Sequence, residues 1–119
     1  MFQALLQDVV ESTEGALASL IMGLDGITVD SYTSGGEAPD VKTVGIELTV
    51  VVRAVTQAVS MLEVGLTEEI VLVADHLTTL IRIVNENYFV VVALAPGGNL
   101  GRARYFLRTR VPELVSELS

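Results

Sequence analysis

Residues 41–64 read VKTVGIELTVVVRAVTQAVSMLEV, and whether they form a strand or a helix decides the fold. Val41, Thr43, Val44, Ile46 and the run from Thr49 to Val52 are β-branched, a composition that locally favours a strand. The length and the periodicity favour a helix. At ~100° per residue, Val41, Val44, Leu48, Val51, Val52, Val55, Val59 and Leu62 fall within a sector of about 100°. A second apolar stripe, Ile46, Val50, Ala54 and Met61, lies nearly opposite, with Arg53 and Gln57 at its margin. A helix with two apolar faces calls for two partners, so the spacing predicts its own sheet on one side and another subunit on the other.

Outward from this helix the chain reads as helix, hairpin, helix, three strands, helix. Phe2, Leu5, Leu6, Val9 and Val10 recur at the helical period, with Asp8, Glu11 and Glu14 opposite and Gly15 as the expected stop. Residues 16–24 read as a buried strand, and Asp25-Gly26 is a strong hairpin signal. Residues 27–33 alternate, with Ile27, Val29 and Ser31 on one side and Thr28, Asp30 and Tyr32 on the other. Asp40 serves as N-cap for the long helix. Residues 68–74, 77–84 and 88–95 are three strands joined by connections too short for anything but hairpins. The last of them, Tyr88-Phe89-Val90-Val91-Val92-Ala93-Leu94, is apolar without alternation, as in a central strand covered on both faces. Asn99 caps a final helix whose stripe is Leu100, Ala103, Leu107, Val111, Leu114 and Leu118, with Pro112 expected to kink it. The result is one α+β domain spanning residues 1–119, built on a five-stranded antiparallel sheet.

Composition narrows the function. The net charge is −8, with eleven acidic and two basic side chains in residues 1–70 and four and five in residues 71–119. A polyanion would be repelled by most of this surface, so nucleic acid is excluded as a partner. The longest uncharged apolar runs, 16–24 and 88–95, fall short of the ~18 residues a membrane span needs. Acidic residues stand where a signal peptide is basic, and there is no cysteine, so a cytoplasmic protein is expected.

Catalytic and cofactor chemistry finds no foothold. The only histidine, His76, falls in a hairpin turn beside Asp75, without the oriented partner and pocket a general base needs. Glu68, Glu69, Asp75 and His76 lack metal-ligand spacing. Residues 36–43 nearly match the phosphate-binding GxxxxGK[ST] pattern, but Val41 stands in place of the second glycine and Pro39 removes an amide. The glycines of Gly97-Gly98-Asn99-Leu100-Gly101 read as strand-to-helix turn chemistry. Arg102, Arg104, Arg108 and Arg110 form no single basic stripe: Arg104 and Arg108 flank the apolar stripe on one side, Arg110 on the other, and Arg102 lies away from both, which reads as stripe-edge arginines paired with the acidic half of the chain. No catalytic residue, cofactor or metal is expected.

The order α-β-β-α-β-β-β-α, with Met22-Gly23-Leu24-Asp25-Gly26-Ile27 at the first hairpin, Leu77-Thr78-Thr79-Leu80-Ile81-Arg82 in the fourth strand and Gly98-Asn99-Leu100-Gly101-Arg102-Ala103-Arg104 at the last strand-to-helix junction, resembles the Roadblock/LC7 family over essentially the whole chain. Within it, the bacterial single-domain, MglB-like group is the nearest fit. The resemblance implies a sheet ordered 2-1-5-4-3, with the first and third helices on one face and the second on the other. It also implies a homodimer joined through the second helix and third strand, with Ile46, Val50, Arg53, Ala54, Gln57 and Met61 at the interface. The implied partner is a small Ras-like GTPase of the MglA type, regulated without an inserted arginine finger, on a surface formed by Lys42, Glu47, Arg53 and Gln57. A dimeric adaptor that leaves nucleotide turnover unchanged requires the same dimer and stays open.

Overall fold

The computed structural model describes residues 2–35 and 40–119, with Val41 and Lys42 described as backbone only. Its elements are α1 (Gln3–Glu11), β1 (Ala16–Gly23), β2 (Thr28–Thr33), α2 (Val41–Leu62), β3 (Glu69–Val73), β4 (Thr78–Ile83), β5 (Tyr88–Leu94) and α3 (Leu100–Leu118). The strands form one antiparallel sheet ordered β2-β1-β5-β4-β3, as expected.

Pleating divides the apolar residues between two cores. Val90, Val92 and Leu94 of β5, with Ile21 and Leu80, pack beneath α1 and α3 against Leu6, Val9, Leu107 and Leu114. Phe89, Val91 and Ala93 point the other way, with Leu20, Met22 and Ile81, against Leu48 and Val52 of α2. Every residue of β5 beyond Tyr88 is buried, which accounts for its unbroken apolar sequence. Gly45 lies over β1, where a Cβ would stand 2.6 Å from the Met22 methyl, so the glycine lets α2 approach the strand closely.

Local chemistry sets the turns. Gly26 has φ +87°, and the Asp25 carboxylate accepts the Ile27 amide at 3.0 Å. The Asn85 side chain accepts the amides of Asn87 and Tyr88, closing the β4–β5 hairpin. Asn99 caps α3 by accepting the Arg102 amide at 2.9 Å. The Asp40 carbonyl accepts the Val44 amide and its carboxylate accepts the Thr43 hydroxyl, at the start of α2.

Four details depart from the sequence reading. Helix α1 ends at Glu11, before Gly15: the Ser12 amide closes the last helical bond on the Asp8 carbonyl, which also accepts the Ser12 hydroxyl, and the Thr13 amide then turns to the Val10 carbonyl. Gly15, at φ +83°, instead lets the chain pass against the β5–α3 turn, where its Cβ would lie 2.5 Å from Gly98 Cα. Leu62, on the inward sector of the α2 wheel, is exposed, because the helix has left the packed core by its last turn. Thr43–Leu62 is also long and apolar enough to cross a membrane by length and composition, with only Glu47 and Arg53 charged. Leu48 and Val52 are nonetheless buried on the sheet, the placement of a core helix whose outer side stays apolar. Helix α3 includes Pro112, the position at which a kink is expected, within a single element.

Candidate functional site

The outer side of α2 carries the stripe read from the sequence. Ile46, Val50 and Met61 are 53%, 64% and 79% exposed, and Ala54 and Gln57 are exposed beside them. Inward positions one turn away, Leu48 and Val52, are buried, so the two-faced character of the helix is real at the level of side chains. Other exposed apolar side chains are Val64 and Leu66 beyond the helix and Leu72 and Val73 on the edge strand β3. Leaving apolar surface of this kind in water costs about 25 cal/mol per Å².

The four residues expected on a partner surface do not share one environment. Glu47 and Gln57 are exposed. Arg53 is exposed as well, but its guanidinium donates to the Leu24 carbonyl, tying α2 to the β1–β2 turn. The Lys42 side chain lies outside the described residues. So do residues 36–39 of the phosphate-loop-like stretch.

On α3 two of the four arginines, Arg104 and Arg110, pair with acids from residues 1–70. Arg104 Nε donates to both oxygens of Glu69, at 3.1 and 2.9 Å. Arg110 reaches Asp8 at 3.7 Å and Glu113 at 3.1 Å, and its guanidinium lies 5.1 Å from the Phe106 ring centroid, a cation–π distance. Arg102 and Arg108 are exposed. His76 is exposed in the β3–β4 turn.

One feature escaped the sequence reading. A cleft of about 1410 Å³ wraps the corner of the sheet where β3 begins, with Val52 of α2 and Val111 of α3 both contributing to its walls. Arg82 and Thr67 line it, and the Arg82 Nε and Thr67 Oγ1 are buried without a hydrogen-bond partner among the described residues. An unsatisfied buried donor costs about 1–3 kcal/mol, which makes the pair conspicuous. The available signal was an arginine at position 82, on the same face of β4 as the buried Leu80.

Fold and surface together define an α+β domain: a five-stranded sheet between one helix and a helix pair, with the single helix presenting an apolar stripe that is exposed in the single chain. Neither a protein-family model nor a curated protein matches the sequence. Among solved structures, the chain is 34% identical to MglC from Myxococcus xanthus, over 98% of both chains, with a TM-score of 0.71. The gliding protein MglB from Thermus thermophilus superimposes at a TM-score of 0.84, with 15% identity over 96% of this chain and 85% of that one. A Roadblock/LC7 domain from Streptomyces avermitilis gives 0.83, with 12% identity over 97% and 95%. The chain belongs to the Roadblock/LC7 family.

Proposed function

We propose that the protein is a homodimeric, non-catalytic regulator of a small Ras-like GTPase of the MglA type, acting in the cytoplasm. The observation that carries this reading is the exposed apolar stripe of α2, with further exposed apolar residues on the edge strand β3, on a chain that matches MglC along nearly its full length. A second copy related by a two-fold axis covers the same stripe on both chains at once. Such pairing sets two α2 helices side by side, with Lys42, Glu47, Arg53 and Gln57 around the two-fold as a composite surface for the GTPase. The alternative, a dimeric adaptor, uses the same dimer and differs only in what that surface does.

Charges at an interface rim tune encounter rate and specificity more than fold. Glu47→Lys should therefore weaken binding to the GTP-loaded GTPase in a salt-dependent way, with stability unchanged. The resemblance implies no arginine finger, so affinity and stimulation of turnover should fall together. The experiment is titration of this chain against the GTP-loaded Ras-like GTPases of its organism, with turnover followed in parallel. Binding without any change in turnover assigns the protein to the adaptor class, and binding to none removes the GTPase as partner.

A further inference from the structure

We propose that the cleft at the sheet corner binds a carboxylate carried on an apolar body, with Arg82 as anchor and Thr67 as second donor. This goes beyond the GTPase assignment and does not depend on it. The Arg82 Nε and Thr67 Oγ1 are buried, line the same cleft and have no partner among the described residues. The strand register sets Glu69 opposite Arg82, but both Glu69 oxygens are taken by Arg104. Among the described residues, Arg82 accordingly forms no ion pair. A guanidinium offers a fixed fork of N–H donors that matches the two oxygens of a carboxylate, and a hydroxyl can donate alongside it.

The walls decide what carries that carboxylate. Val84 and Val111, on the Arg82 face of the sheet, and the exposed Val64 and Leu66 beside them make them apolar, which suits a hydrocarbon or aromatic body and not a sugar. Glu63, Glu68 and Glu86 also line the cleft and are exposed. Their repulsion grows with the ligand's charge, so it disfavours a polyphosphate most and a single carboxylate least. Two sources share this chemistry: a small organic acid, and the C-terminal carboxylate of an apolar polypeptide tail.

The test is amide NMR of the whole chain titrated with N-acetylphenylalanine, with its methyl ester, and with a short apolar peptide ending in either a carboxylate or an amide. The acids should shift the Arg82, Thr67 and Tyr88 signals, and the ester and amide should bind about tenfold weaker or worse. The tighter of the two acids identifies the source. Arg82→Met should lose about tenfold in affinity while keeping the fold, since it replaces an unpaired charge by an apolar chain of similar length. Equal binding of acid and ester, or no shift at those signals with either acid at millimolar concentration, overturns the proposal. It is equally overturned if Arg82→Met lowers the sedimentation mass while the acids leave the parent spectrum unchanged, which would give the cleft to a contact between protomers.

Discussion

At Gly15 one missing carbon holds the two halves of the chain together. The Glu14 carbonyl accepts the Asn99 amide at 2.8 Å and the Gly15 carbonyl accepts the Ala95 amide at 2.8 Å, which brings the α1–β1 and β5–α3 turns into backbone contact. Alanine at position 15 meets both a left-handed φ and a 2.5 Å approach to Gly98 Cα. Gly15→Ala should therefore cost on the order of 2 kcal/mol or more, read as a lower urea midpoint. Tyr32 offers a second residue-scale check. Its hydroxyl donates to Glu11 at 2.9 Å; that bond, then burial, then the carboxylate's charge raise its pKa above the usual 10.0. Because the folded state holds the proton more tightly, this contribution to stability is fully present below pH 10 and is lost as pH rises through the raised value. A spectrophotometric titration should show a tyrosinate step above that range, absent in Tyr32→Phe.

At the scale of elements, helices and strands were legible wherever one periodicity dominated. The unbroken apolar run of β5 announced a strand covered on both faces, and Val91, 2% exposed beneath α2, sits where that predicts. Val91→Ala should lower stability by about 1–3 kcal/mol in a denaturation series. Sequence reading was weakest at element ends, where local hydrogen bonds compete. The Thr13 amide turns to the Val10 carbonyl and α1 ends well before the glycine, and Glu63, at φ +55°, turns the chain after α2 without a glycine. Arg53 illustrates a different gap: the wheel placed it at the margin of an outer stripe, but only the folded hairpin brings the Leu24 carbonyl within its reach.

For the whole molecule, the candidate surface was half legible. The outer stripe of α2 follows from spacing along one helix, whereas the cleft is assembled from α2, the β4–β5 corner and α3, a juxtaposition that no local pattern encodes. The stripe gives the assembly prediction. Val50 is 64% exposed in the single chain, so Val50→Glu should leave the fold intact. In an isologous dimer it places two carboxylates near the two-fold, and light scattering should report monomer in place of dimer. The central position of β5 has a further consequence, one of timing. A ribosome releases α1, the β1–β2 hairpin and the apolar α2 before the strand that must lie between β1 and β4 has been made. Until residue 94 emerges, the sheet exists only as two unconnected hairpin edges, and closing it means bringing together segments from opposite ends of the chain. During synthesis, the long apolar helix therefore has only the β1–β2 hairpin as its floor, and the nascent chain is most exposed to aggregation and to chaperones just before its last two elements appear.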